Sequence, residues 1–364
     1  MIRLALCGDV MLGRGVDQIL PSPVDPRIHE RVVRSALGYV ALAERVHGPI
    51  PRGVPFSYVW GDALAVLEAW RPDLFVVNLE TAVTDRGRPL PKGINYRMSP
   101  GNLPVLRAAG IDCCVLANNH VLDWGEVGLL DTLDNLAAAG LRACGAGRDA
   151  AAAAAPAVFP MRDGRRVVVH GVALRSSGVP PGWAASPDRP GVNYAAEASP
   201  ETADRLAAGI VASRRPGDIT LLSVHWGGNW GYAISAEEQR FARRLIERAA
   251  IDVLHGHSSH HRKAIELCRG RPILYGAGDL LNDYEGIAGQ EAYRGDLVLL
   301  YLVELDGGGG LVRLDLAPFR VRRFRLERAE EADIAWLRRI IDRECRRFGC
   351  GVVAAEGLLR LMPG

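Results

Sequence analysis

"IRLALCGDV", Ile2–Val10, is an apolar run of strand length that ends in Gly8-Asp9. The same form returns in "DLFVVNLET" (Asp73–Thr81), "GIDCCVLANNH" (Gly110–His120), "GDITLLSVHWG" (Gly217–Gly227) and "AAIDVLHGHSSHH" (Ala249–His261). A run that stays apolar at odd and even positions alike is a strand covered on both faces. Each of these runs breaks into polar residues at its C-terminal end.

Helical patterns separate the runs. "DALAVLEAW" precedes the second. "GEVGLLDTLDNLAAAG" places Val127, Leu130, Leu133 and Leu136 at helical spacing and closes on Gly140. "SAEEQRFARRLIERA" opens with Ser235 and, three residues on, Glu238, the spacing of a capping box, with Phe241, Leu245 and Ile246 on one face. Strands alternating with helices predict an α/β fold. Later runs, "RPILYGAGDLL", "GDLVLLYLVELD" and "LVRLDLAPFRV", follow one another without helices and predict antiparallel pairing, with "LDGGGGLV" as a hairpin turn. "EEADIAWLRRIIDRECRRFG" then carries a stripe of Ile334, Leu337, Ile341, Cys345 and Phe348. No repeat or linker divides the chain. It reads as one domain over 1–320 with a C-terminal helical extension, 321–364, packed on it; loops 47–55 and 176–192 are candidate lids.

Composition narrows the function classes. Apolar residues at 48% and charged residues at 24% describe a soluble globular protein, and a net charge of +2 gives no surface for nucleic acid or anionic lipid. The seven cysteines form no CxxC pair, which leaves buried, reduced thiols. The first apolar run is too short for a signal peptide, and no run reaches the roughly 18–20 residues of a membrane span. A cytoplasmic protein with no membrane anchor is the expectation.

The strand ends are where polar residues of an α/β fold converge. Here they hold Asp9, then Asn78 and Glu80, then Asn118, Asn119 and His120, then His225, then His257 and His260. Carboxylates suit hard divalent cations and imidazoles suit zinc, iron and manganese, so the mixed set is that of a two-metal hydrolase. Bland readings compete with it: Asp9 as a turn residue after Gly8, His225 as a satisfied core histidine, and the four histidines of "HGHSSHH" as a polar loop or a pH switch. His255 lies inside the apolar run and His261 at its end, positions suited to supporting the ligands. Asp279, in "GAGDLLND", is read as a carboxylate orienting an imidazole or as a helix N-cap. Arg97 is read as an anion contact or a surface arginine, and Trp226 as a pocket wall or core aromatic.

The motifs "GDVMLGR", "NLETAVT", "LANNHVLDWG", "SVHWG", "GHSSHH" and "LYGAGDLLNDYEG" occur in an order that resembles the CapA-like, poly-γ-glutamate capsule-biosynthesis family of the calcineurin-like metallophosphoesterase superfamily, over roughly residues 2–320. The resemblance implies a four-layer α/β/β/α sandwich with mixed sheets. It implies Asp9, Glu80, Asn119, His225, His257 and His260 as metal ligands. His120 would give a proton or steady the transition state, and Arg14 would clamp an anion; Asn78, Arg97 and Trp226 are further expected substrate contacts. The implied cofactor is manganese, iron or zinc. The superfamily's first-strand Asp-x-His reads Asp9-x-Met11 here, and its GHxH reads GHxxH, so one ion or two are both open. The implied activity is hydrolysis of a phosphoester or a γ-glutamyl or other amide by metal-activated water, on a small anionic substrate or glutamyl peptide. The alternative is a non-catalytic metal-binding or assembly protein linked to poly-γ-glutamate synthesis.

Overall fold

The computed structural model describes all 364 residues. Ile2–Val10 forms the strand its pattern predicts and runs through the middle of a ten-stranded sheet. On one side it pairs in parallel with Leu74–Leu79, which is followed by Cys113–Val115 and Arg142–Cys144. On the other it pairs antiparallel with Leu297–Leu305, itself hairpinned to Leu311–Arg322. The turn of that hairpin is held by Asp306, whose Oδ1 accepts from the amides of Gly308 and Gly310 at 2.8 Å.

A second, seven-stranded sheet runs Tyr194–Ala195, Arg166–Leu174, Ile219–His225, Val253–His257, Arg271–Leu274 and Ile265–Cys268, with Ala157–Pro160 paired antiparallel to Arg166–Leu174. Its pleat sorts its residues between two cores. Val167, Val169, Leu221 and Val253 face the first sheet and join the main core. Val172, Leu222, Val224 and Leu254 face the other way and pack with Phe241, Leu245 and Ile246. Those last three come from the helix Ala236–Ala249, which starts at Ser235 with the expected capping box. Helices therefore cover the outer faces of two stacked mixed sheets, a four-layer α/β/β/α arrangement. Burial on both faces is why the strands are apolar at every position.

Two sequence expectations need correction. In the helix Gly125–Ala138, Val127 is exposed, and the buried stripe is Gly128, Leu129, Thr132 and Leu136. Thr132 belongs to it because its hydroxyl accepts from the Val83 amide at 2.9 Å, a use that apolar periodicity does not register. The stretch 321–364 holds the expected helix, Glu331–Arg346, on Leu337, Ile341 and Cys345, but also the strands Cys350–Ala355 and Leu358–Pro363. These extend the first sheet beside Leu311–Arg322, so residue 320 falls inside a strand rather than at a boundary.

One glycine sets the geometry of the site. The short strand Asp279–Leu281 pairs in parallel with Ile2–Val10, Asp9 beside Asp279, and the Asp9 amide donates to the Gly278 carbonyl at 3.0 Å. A Cβ on Gly8 would overlap that same carbonyl oxygen. Gly8→Ala must therefore push the two strands apart, a backbone clash expected to cost roughly 3 kcal/mol or more. Thermal unfolding of the purified variant measures it; an unchanged midpoint would refute the close approach.

Candidate metal centre and cleft

Parallel pairing in both sheets brings the polar strand ends to one place. Asp9 and Glu80 end adjacent strands of the first sheet; His225 and His257 sit opposite each other at the ends of adjacent strands of the second. The Nδ1 atoms of His225 and His257 lie 2.8 Å apart, and His257 Nδ1 lies 3.7 Å from Asp9 Oδ1. These three residues could hold one ion, and Asp9 with His260 and Asp279 could hold another. Asp9 belongs to both groups. His260 Nδ1 is 3.0 Å from Asp279 Oδ1.

The donor set fits divalent metal. Three carboxylates, Asp9, Glu80 and Asp279, are buried together, and His260 lies within hydrogen-bond distance of one of them. Burial first, and Asp279 second, push the Asp9 pKa up to about 7. Burial and then Asp9 push Glu80 well above the carboxylate range. Burial holds His225 and His257 far below the usual histidine value, helped by His120 for the first and His225 for the second, which keeps both rings neutral. For His260, burial opposes charge, but Asp279 and then Asp9 outweigh it and raise its pKa. The outer oxygen of Asp9, Oδ2, is buried with no hydrogen-bond partner. Crowded carboxylates, neutral imidazoles turned toward one another and an orphan carboxylate oxygen are what a bound cation would satisfy.

Several residues hold these donors in place. Asn78, fully buried, donates through one amide nitrogen to Asp9 Oδ1 at 2.7 Å and Glu80 Oε2 at 2.5 Å. Asn118 donates to Asn78 Oδ1 at 3.0 Å and to the Leu79 carbonyl at 2.8 Å. Ser223 Oγ lies 2.8 Å from His257 Nε2 and 3.1 Å from His255 Nδ1. Supporting bonds of this kind fix ring orientation and tautomer.

The centre opens on a cleft of about 900 Å³, lined among others by Glu80, Asn119, His120, His225 and His260. His120 stands on its wall. Its Nδ1 is 2.6 Å from Asp123 Oδ2, and Tyr96 stacks on the ring at 3.9 Å. Burial pulls its pKa down to about 4, with Asp123 acting in the opposite direction. The ring is neutral at pH 7, with Nδ1 committed to Asp123 and Nε2 free of protein partners. Asn119 Oδ1 lies 3.2 Å from His225 Nε2.

The family model described as "Bacterial capsule synthesis protein PGA_cap" matches residues 3–284. The chain belongs to this family. A probable polyglutamine synthesis accessory protein of Mycobacterium tuberculosis is 51% identical over 367 residues, covering 100% of this chain and 96% of its own. The PGA biosynthesis protein CapA of Bacillus subtilis is 26% identical over 238 residues, 63% of this chain and 56% of its own. Among solved structures, a 5'-nucleotidase precursor from Thermus thermophilus aligns with 92% of this chain and 57% of its own, at 16% identity and a TM-score of 0.45.

In this PGA_cap chain, Arg14, Asn78, Arg97 and Trp226 stand elsewhere than as the substrate contacts that were expected. Arg14 lines the cleft, but its guanidinium is bonded to Asp283 and Glu30, at 3.1 and 2.8 Å, and lies 3.8 Å from the Tyr39 ring. Its Nε, Nη1 and Nη2 all donate to these carboxylates, which makes it a brace of the wall. Asn78 is fully buried and does not line the cleft; its amide nitrogen is bonded to Asp9 and Glu80. Arg97 lies outside the cleft with its guanidinium 3.7 Å over the Trp124 ring. Trp226 is a core aromatic: it is buried, its indole N–H donates to the Tyr275 carbonyl at 3.0 Å, and it packs with Phe241. His255 lies under His257, in contact through Ser223. His261 is buried among Trp230, Tyr232 and Tyr293, with Nδ1 on the Arg262 carbonyl.

Asp279 is the reverse case. Expected as a support or an N-cap, it stands in a ligand group, beside Asp9 on the neighbouring strand. Met11 lies buried with its amide on the Leu281 carbonyl at 2.9 Å, so the strand that adds no ligand at Met11 pairs with one that adds Asp279. The candidate lids contribute at their edges: His47 lines the cleft, and Trp183 packs 5.1 Å from the Lys92 ammonium. Lys92, Tyr96, Tyr284 and Ser223 are not among the residues that the sequence singles out. Of the site's supporting residues, Asp123 had a local signal, its three-residue spacing from His120. The structure has no helix long and apolar enough to cross a membrane.

Proposed function

We propose that this chain is a metal-dependent hydrolase acting on a small anionic substrate, a phosphoester or a γ-glutamyl amide. One observation carries the reading: Asp9 is shared by two ligand groups, on a cleft whose wall presents His120. A divalent cation held there supplies positive charge that acidifies water and offsets charge on the attacked centre. The chain's own residues supply the rest. Asn78 orients Asp9 and Glu80, and Ser223 orients His257. Asp123 fixes the His120 ring, so that Nε2 is the atom that exchanges a proton with the reacting group. Tyr96 and Tyr284, joined through their hydroxyls at 2.7 Å, wall that side of the cleft. The names of the relatives, polyglutamine synthesis and PGA biosynthesis, favour the γ-glutamyl class.

The word "accessory" in one relative's name supports a second reading, a metal-binding assembly protein without hydrolysis. Metal analysis after loading with manganese, iron or zinc, followed by a screen of phosphoesters and γ-glutamyl amides, separates the two. The hydrolase reading expects bound metal and metal-dependent product release. Bound metal without turnover favours the assembly protein, and failure to bind any of the three metals sinks both.

A further inference from the structure

Three arginine or lysine side chains line the cleft: Arg14, Lys92 and Arg294. Two of them are each paired with two carboxylates. Arg14 is bonded to Asp283 and Glu30, and its side chain is 2% exposed. Arg294 meets both oxygens of Asp296 at 2.8 Å and Asp333 at 2.9 Å. Lys92 differs. Its ammonium donates to Asp123 Oδ1 at 2.7 Å and to the Asn119 carbonyl, and its side chain is 25% exposed. An ammonium has three N–H donors. The third has His120 Nδ1 nearby at 3.5 Å, but that nitrogen is already bonded to Asp123. One donor of Lys92 is left without a hydrogen-bond partner, on a side chain that lines the cleft with the Trp183 ring 5.1 Å from its ammonium.

Its position is built rather than incidental. Lys92 belongs to a segment of irregular backbone, yet that segment is tied to the loop after His120. The Leu90 amide donates to the Asp123 carbonyl at 2.8 Å, and the Tyr96 amide donates to Asp123 Oδ2 at 2.6 Å. Asn95 donates to the carbonyls of Leu90 and Asp123. The ammonium is thereby fixed beside His120 and bonded to the backbone of Asn119, whose side chain meets His225. A charge held in place in a partly desolvated wall binds an anion with little reorganisation.

We infer that Lys92 contacts the anionic oxygens of the substrate, on a phosphate or a carboxylate, next to the bond that His120 serves. The inference rests on the hydrolase reading of the same cleft and gives Lys92 the anion-binding role that the sequence had pointed to Arg14 and Arg97. An arginine at 92 keeps the charge; a methionine keeps the length and loses it.

The test is calorimetric titration of inorganic phosphate and of L-glutamate into the metal-loaded protein, its K92M and K92R variants, with thermal midpoints taken alongside. At least one probe should bind the unmodified protein. K92M should weaken that binding about tenfold or more and K92R by about threefold or less, with the K92M difference shrinking at high salt. If K92M does not fold, Lys92→Gln, which retains a hydrogen bond to Asp123 without the charge, carries the comparison. Unchanged affinity in a folded charge-free variant overturns the inference, as does failure of both probes to bind the unmodified protein. Hydrolysis is read separately: turnover with an anion affinity indifferent to Lys92 removes this contact and leaves the hydrolase, while Lys92-dependent binding without turnover removes the hydrolase and leaves the contact.

Discussion

Asp9→Asn is expected to abolish metal binding altogether, whereas Asp279→Asn should remove only one of the two ions. Asp9 is common to both ligand groups, and Asp279 belongs to one. An amide is nearly isosteric with a carboxylate, so Asn at 9 can still accept from Asn78, but it brings no charge. Binding of manganese or zinc, followed by metal analysis and by the metal-induced rise in unfolding temperature, should fall to background in Asp9→Asn. Hydrolysis should fall with it, by roughly 10³-fold or more if the cations supply several kcal/mol to the reaction. Full metal retention in Asp9→Asn, or loss of both ions in Asp279→Asn, would contradict the shared geometry.

The same variant has an opposite effect on stability without metal, and its sign follows from linkage. The folded protein raises the Asp9 pKa from the ordinary 3.8 to about 7, through burial and then Asp279. The native state therefore holds the Asp9 proton more tightly than the unfolded chain does. The stabilisation is complete below the unfolded value and is lost as pH climbs toward the folded one, so this group makes the metal-free protein less stable at pH 7 than at pH 4. Asn cannot ionise and lacks that loss. In chelator at pH 7, Asp9→Asn should unfold at a temperature equal to or above that of the unmodified protein, and below it once metal is added. A site that costs stability when empty is a site shaped for its ligand.

The residues that proved readable from sequence share a physical cause. Strands buried on both faces must be apolar throughout, so their ends are visible as the first polar residues, and parallel pairing carries those ends to one edge. Asp9, His225 and His257 stand together at such ends, with Glu80 buried beside them but in neither group that could hold an ion. Asp279 did not, because its role depends on lying beside Asp9 across a pairing of strands far apart in sequence. Arg14 looked like a free cation after the first strand; one of the two carboxylates that engage it, Asp283, lies 269 residues further along the chain. Lys92 sits in a segment with no periodicity, and only its backbone ties to Asp123 place it. Asn78 and Trp226 each lie close to a candidate ligand in sequence, yet Asn78 is fully buried and does not line the cleft, and Trp226 turns into the core, as alternation along a pleated strand sends the neighbour of His225 to the opposite face. What local pattern determines was readable, and what pairing register or an irregular loop determines was not.

His120→Ala carries the second large expectation. It should lower kcat by roughly 10²–10⁴-fold, the usual range for loss of a positioned proton-transfer group, while metal content stays unchanged. The separation follows from geometry. His120 belongs to neither ligand group, and its ring is held by Asp123 and by stacking on Tyr96. Removing the ring leaves Asp123 bonded to Lys92 and to the Tyr96 amide, so the wall keeps its charge balance and the loop its anchor. Asp123→Asn should behave differently, because it preserves the imidazole but loses the carboxylate that fixes its tautomer, and it also frees Lys92. A smaller fall in kcat with a change in substrate affinity is expected there. Steady-state kinetics on the substrate that the screen identifies, run beside metal analysis of the same preparations, reads both. Full turnover in His120→Ala would remove proton exchange at Nε2 from the reaction. A kcat loss that appears only together with metal loss would place His120 among the ligands instead.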